Sequence, residues 1–305
     1  MTVMPERDVA RSVGRPQVRP DTDLQASYEV CRKIHRRHDP TYYWATRRLP
    51  RDVRPAVHAL YGFVRAADEL VDGPDRPSDR VARSAALDDW ERELELGLAR
   101  GYSSSPVIRA LVDAGRRHQL PLVELRPYMQ SMRVDCGPVR IETEAELDRY
   151  MQGSAGSVGR IMTPLLGAPA EMRESFAQLG MAFQLTNFIR DVREDYALDR
   201  VYLPLAARER FGVSEADIAR GEATPAFRAL LAAEVDRARR LFDASSPALA
   251  AVGPRARRGI RLARAVYLAV LDRVDSIDFD VFGRRTTPRP WELGLAAVGA
   301  LSQRP

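Results

Sequence analysis

Apolar and polar positions repeat at helical spacing along almost the whole chain. Runs rich in Ala, Leu, Arg and Glu are punctuated by Gly and Pro, and no segment sustains the period of two that marks a strand. The pattern predicts helices over 52–72, 80–100, 105–118, 122–133, 171–195, 226–244 and 255–276. Pro55 falls in the first turn of the 52–72 segment, where its missing N–H costs nothing, and Gly73-Pro74 follows its end. Thr143 and Glu146 form a capping box that opens a helix through Tyr150, and that helix continues into Gly153, Gly156 and Gly159. An interior Gly costs about 1 kcal/mol relative to Ala, so the run implies that something comes close to the backbone. Two readings stand: tight packing against another helix, or a slot for a long apolar ligand.

Two of the helical segments carry paired carboxylates, Asp68 with Asp72 and Asp191 with Asp195. An i, i+4 pair lies within about 40° on one helix face, where like charges repel by a few tenths of a kcal/mol. In a chain with 29% charged residues a lone pair of this kind is ordinarily a solvated face. The neighbours argue for more. Tyr61, Arg65, Asp68 and Asp72 share one arc, onto which Arg54 also projects, while Gln184, Asn187, Asp191 and Asp195 form a stripe of about 80° on a segment otherwise rich in Phe, Leu, Ile and Met. Such stripes suit the lining of a cavity, and hard divalent cations bridging to a phosphate-bearing substrate would offset the repulsion.

No linker interrupts residues 23–290 of the 305, which are expected to form one domain between a flexible N-terminal tail, 1–22, and a C-terminal tail, 291–305. The first 22 residues hold no apolar run of the signal-peptide type, and no stretch is long enough to cross a bilayer. A cytoplasmic protein is expected, soluble or peripheral at the inner face of the membrane. The excess of 47 basic over 42 acidic residues is modest, and Lys33 is the sole lysine. Arg suits forked contacts with phosphate oxygens, but no basic cluster interleaved with exposed aromatics is evident, which argues against nucleic acid as a partner. Cys31 and Cys136 are expected to be buried, reduced thiols. His35, His38, His58 and His118 have no zinc-site spacing with them.

Six ordered blocks carry a resemblance. They are His38-Asp-Pro-Thr41-Tyr42-Tyr43-Trp44-Ala45, Tyr61 to Asp72, Tyr150 to Gly159, Gln184 to Asp195, Arg200-Val-Tyr202-Leu-Pro204, and Tyr267 with Phe279 to Arg284. Over Tyr28 to Arg285 the chain resembles the squalene and phytoene synthases, most of all the bacterial, actinobacterial-type phytoene synthases. The resemblance implies an all-α class I isoprenoid synthase bundle around a central cavity. It implies head-to-head condensation of two geranylgeranyl diphosphates to phytoene through a cyclopropylcarbinyl diphosphate, the first step of carotenoid synthesis. Mg2+, or Mn2+ in its place, would be held by Asp68 and Asp72 from one side and by Asn187, Asp191 and Asp195 from the other. Arg65, Arg190, Arg284, Tyr202 and Tyr267 would bind diphosphate oxygens. His38, Thr41, Tyr42, Gly156, Val158 and Gln184 would line the substrate slots. Tyr61 and Tyr150 would act with the four aspartates in catalysis, guiding a proton or steadying cations.

NADPH is not expected for the phytoene reaction, and no Gly-rich nucleotide fingerprint follows a strand. Glu69 stands where many members carry a second Asp, and Met151, Ser154 and Thr46 also depart from the commoner pattern, which leaves pocket depth open. The alternatives are a squalene or dehydrosqualene synthase using farnesyl diphosphate, a terpene cyclase sharing the Asn187, Asp191, Asp195 spacing, and a non-enzymatic assembly factor on the same fold. A hydrocarbon product would favour peripheral membrane contact for its release.

Overall fold

In the computed structural model, which describes residues 20–302, the helical periodicity is realised as sixteen α-helices and one two-residue strand pair among the described residues. Helices α1 (Pro20–His38), α2 (Pro40–Thr46) and α3 (Arg54–Asp72) come first, then α4 (Arg80–Arg100), α5 (Pro106–His118) and α6 (Leu125–Val134). Helix α7 (Glu144–Met151) passes through a π-helical turn, Gln152–Gly156, into α8 (Ser157–Leu165). Then follow α9 (Arg173–Arg190), α10 (Val192–Ala197), α11 (Leu205–Phe211), α12 (Glu215–Arg220), α13 (Pro225–Ala244), α14 (Ser246–Ala250), α15 (Pro254–Ser276) and α16 (Pro290–Ser302). Strands β1 (Val139–Arg140) and β2 (Arg200–Val201) pair in parallel, Val139 opposite Arg200. No described helix is long and apolar enough to cross a membrane.

Helices α1, α3 and α5 pack on one another, and α9 packs between α8 and α13. Helix α3 buries Ala56, Val57, Leu60, Phe63, Ala67 and Val71, each large side chain contributing roughly 1.5–3 kcal/mol through lost apolar exposure. That burial fixes the roll of the helix. Position 64 and, one and two turns on, positions 68 and 72 then look the other way, into a cavity.

The structure departs from the sequence reading in several places. The segment expected as one helix over 171–195 breaks at Asp191, whose φ of −104° and ψ of 20° lie outside the helical region. Side chains one residue apart point about 100° away from each other on a straight helix. The break lets Arg190 donate two hydrogen bonds, at 2.6 and 2.5 Å, to the carboxylate next to it. Residues 291–302, expected as tail, belong to α16, which packs along α15. Residues 20–22, placed in the N-terminal tail, begin α1; residues 1–19 lie outside the described ones. The capping box is present in altered form: the N–H of Glu146 donates to Thr143 Oγ1, but the Glu146 carboxylate accepts from the N–H of Glu142 rather than of Thr143.

The glycines resolve in favour of packing. A Cβ on Gly153 would meet Ser131 and the Pro127 carbonyl, one on Gly159 the Phe176 carbonyl, and one on Gly156 the Gln152 side chain and Ala177. Gly180 of α9, not singled out from the sequence, completes the seam, since its Cβ would lie 2.5 Å from the Ala155 carbonyl oxygen. Gly180→Ala is therefore expected to destabilise by about 1–3 kcal/mol. Gly259→Ala, in α15 with nothing within 4 Å of the added methyl, should stabilise by up to about 1 kcal/mol. Chemical denaturation of the two variants checks the contrast, and equal shifts would refute the seam.

Candidate active site

Both acidic stripes open onto one cavity of about 460 Å3. Asp68 and Asp72 reach it from α3; Gln184, Asn187, Arg190 and Asp191 from α9 and the break after it; and Asp195 from α10. Val64, Val71, Met132 and Phe188 supply apolar wall, and Ser154 enters from the π-helical turn. The widened turn presents the Ser154 hydroxyl as a buried group with no hydrogen-bond partner.

Three residues that sequence reasoning missed organise this cavity. Buried Arg200 of β2 donates from both terminal nitrogens to the Asp72 carboxylate, at 2.8 and 2.5 Å, and also to the Asp135 carbonyl at 2.7 Å. The buried Asp135 carboxylate accepts from the Tyr150 hydroxyl at 2.5 Å and the Tyr202 hydroxyl at 2.8 Å. Tyr128 places its hydroxyl 3.1 Å from Asp68 Oδ1. Asp135 has no acidic mate at helical spacing, and Arg200 is one arginine among many, so neither stood out. The Arg200-Val-Tyr202 block was the available signal for the second.

The remaining expected residues divide. Tyr150 and Tyr202 line the cavity, but their hydroxyls are tied to Asp135, and the Tyr202 ring stacks on Phe188 at 4.0 Å. Tyr267 lies against Phe183, with ring centroids 4.3 Å apart, and burial raises its phenol. Tyr61 stacks on His35 at 4.0 Å, and Tyr42 packs beside both rings. Arg65 turns to Glu69, one helical turn on, and His38 Nδ1 lies 3.6 Å from the same carboxylate. Arg284 is exposed, 3.7 Å from Asp280, and Arg54 hydrogen-bonds the Leu49 carbonyl at the far end of α3; neither is brought to the cavity. Val158 is half-buried against the core, and Gly156 is buried in the seam. Thr41 lies in α2, with its side chain outside the described ones.

The electrostatics are those of carboxylates short of water. Burial pushes Asp68 up to about 6 against the opposing Tyr128 hydrogen bond, and it pushes Asp135 to about 6. Burial and the nearby Asp191 charge push Asp195 up to about 8. Burial also raises the Tyr150 and Tyr202 phenols, holding both as proton donors.

A model of the squalene/phytoene synthase family matches residues 35–292. The chain belongs to that family. It is 34% identical to the 15-cis-phytoene synthase of Synechocystis over 91% of this chain and 86% of that one, and 34% identical to the phytoene synthase of Thermus thermophilus over 89% and 91%. Among solved structures it is similar to a dehydrosqualene synthase in complex with ligand, with TM-score 0.83, 27% identity, and coverage of 93% of this chain and 98% of that one. It is also similar to squalene synthase HpnC from Alicyclobacillus acidocaldarius, with TM-score 0.78, 30% identity, and coverage of 88% and 97%. The fold is the helical one of class I isoprenoid synthases.

The donor set fits the divalent cation that the family implies. Asp68, Asp72, Asn187, Asp191 and Asp195 offer only hard oxygen donors, and Asn187 Oδ1 is buried without a partner. The two stripes face each other without converging: no three acidic or imidazole side chains among the described residues stand close enough to hold one ion. Asp195 generates a pH prediction. Its folded value, about 8, lies above the ordinary 3.8, so the folded state binds the proton more tightly than the unfolded one, and the resulting stability is lost as pH rises from about 4 through 8. Thermal melts in chelator across that range should show the loss, and Asp195→Asn should flatten it above about pH 6, beyond the values of Asp68 and Asp135. An unchanged slope in the variant would refute the assignment.

Proposed function

We propose that the protein joins two molecules of geranylgeranyl diphosphate head to head, giving phytoene by way of a cyclopropylcarbinyl diphosphate. The observation that carries the reading is the meeting of the Asp68–Asp72 and Asn187–Asp191–Asp195 stripes on one cavity, with guanidiniums among them. The names of its curated relatives support the forty-carbon product over the alternatives. In this reading residues 23–290, together with the helical residues that extend α1 and α16 on either side, are the catalytic domain of a cytoplasmic prenyltransferase, with peripheral membrane contact serving release of the hydrocarbon.

Asp68, Asp72, Asn187, Asp191 and Asp195 would hold Mg2+, or Mn2+ in its place, which when bound supplies positive charge to the leaving diphosphate. Arg190 and Arg200 line the cavity with their forks on Asp191 and Asp72, and their positive charge would draw the diphosphate to that side. As the C1–O bond breaks, the diphosphate departs with the electron pair, and the second substrate's double bond attacks the allylic cation. Loss of one proton closes the cyclopropane. A second ionisation, rearrangement and proton loss give the hydrocarbon, so two diphosphates and two protons leave in all. The Tyr150, Tyr202 and Phe188 rings form an aromatic wall whose π faces steady a passing cation. Both phenols are held protonated, which suits them to steadying cations, and the released diphosphate would take the protons. Apolar Val64, Val71 and Met132 keep water from the cation.

Asp68→Asn and Asp191→Asn are expected to reduce turnover by at least 10²-fold with the far-ultraviolet circular dichroism unchanged. Each change removes an oxygen anion from the cavity while easing repulsion. Near-full activity in either variant, with product confirmed by mass, would contradict these roles.

A second reading, condensation of farnesyl diphosphate, is favoured by the likeness to the dehydrosqualene and squalene synthase structures. Each further buried methylene is worth only about 0.8 kcal/mol, so some turnover of the shorter substrate is expected. With equal concentrations of both diphosphates and Mg2+, phytoene should dominate, and NADPH should change neither rate nor product. A thirty-carbon product in excess, or a requirement for NADPH, would transfer the assignment to the second reading.

A further inference from the structure

At the opposite end of α3 from its carboxylates lies a second hollow, of about 420 Å3, lined by Arg47, Arg48, Arg51, Arg54, Arg255 and Arg258 with Leu49 and Pro50. Fourteen residues of helix from 54 to 68 put it roughly 20 Å from the catalytic cavity. Sequence order hides the cluster, because four of the arginines come from the α2–α3 connection and the start of α3, and two from the first turns of α15.

Several other arginines are matched by acids, as Arg133 is by Asp88 and Glu91, Arg140 by Asp199 and Glu215, and Arg239 by Asp272 and Asp275, while Arg208 and Arg257 bond backbone carbonyls. Here no carboxylate lines the hollow. Arg54 Nε donates to the Leu49 carbonyl, which fixes the connection, and the Arg47 guanidinium lies 4.6 Å from the centre of the exposed Trp44 ring. The Arg48, Arg51, Arg255 and Arg258 side chains line a hollow whose wall holds no carboxylate. Two helices also begin at this hollow, α3 after Val53 and α15 after Gly253, neither with a side-chain cap and neither with an acid in its first turn. Helix N-termini carry partial positive charge, so arginines there add to it. The arrangement is self-repelling unless a polyanion shares it.

We propose that this hollow is a binding site for a phosphate- or diphosphate-bearing anion, separate from the catalytic cavity and independent of the reaction assigned to it. Several forked guanidiniums held by a fixed loop suit a small anion with many oxygens and more than one charge. The anion has two sources, free diphosphate and the headgroup of an anionic phospholipid.

The test uses the full chain at low ionic strength in chelator. Wild type and R51Q/R255Q/R258Q are titrated calorimetrically with inorganic diphosphate, and both are sedimented with vesicles of phosphatidylglycerol or of phosphatidylcholine. Diphosphate binding weakened at least about tenfold in the variant supports the site with a free anion as ligand. Unchanged diphosphate binding, with sedimentation on phosphatidylglycerol lost in the variant and none on phosphatidylcholine in either protein, supports it with the headgroup as ligand. The ligand-free variant should also melt higher than wild type at low salt, and this difference should shrink as salt is added. If neither ligand distinguishes variant from wild type, the proposal is overturned. R255Q/R258Q, at two exposed positions of α15, gives the same comparison should the triple variant fold poorly.

Discussion

Arg200 is the residue on which the arrangement of the cavity turns. It is buried, it closes a two-point bridge on Asp72 at the end of α3, and it holds the backbone of Asp135 at the end of α6. Asp135 in turn fixes the hydroxyls of Tyr150 and Tyr202. One guanidinium thus joins the first acidic helix, the strand pair and the aromatic wall. A buried charge network of this kind tolerates loss of a partner poorly, because each remaining group would be left desolvated and unpaired. Its value lies in holding side chains from four separate chain segments in one geometry.

Against that frame α9 is set by a different force. Gly153, Gly159 and Gly180 let backbones touch where side chains would keep them apart, and the gain is many dispersion contacts rather than a few strong bonds. The π-helical turn sits in this seam and carries Ser154 to the cavity. Backbone contact and polar display are therefore products of the same five residues.

Much of this was legible in the sequence. Helical periodicity and the placement of Pro55, Gly73 and Thr143 located most long helices, and the four-residue spacing of the acids put both pairs on the cavity face. What escaped reading has a common physical character. The break at Asp191 accompanies a side-chain pair between adjacent residues, which periodicity cannot register. Asp135 and Arg200 act through contacts between residues distant in sequence, and Arg65 and Arg284 find nearer acids in Glu69 and Asp280. Short helices such as α10, α11, α12 and α14 hold too few positions to show a period. The family blocks nonetheless preserved the order in which the cavity residues occur.

The internal partners of the acids bear on how the protein comes into being. Asp72 has Arg200, Asp191 has Arg190, and Asp68 has Tyr128. A small metal-dependent domain leaves its ligands unmatched until the ion arrives, and so cannot fold before it. Here three of the four carboxylates have partners within the polypeptide and the fourth, Asp195, is eased by holding its proton, so the newly made chain can reach its native shape in a compartment poor in divalent cations and wait there. If the proposed function holds, assembly and activation are separate events, and depletion of the ion would idle the protein without exposing its core to aggregation or proteolysis.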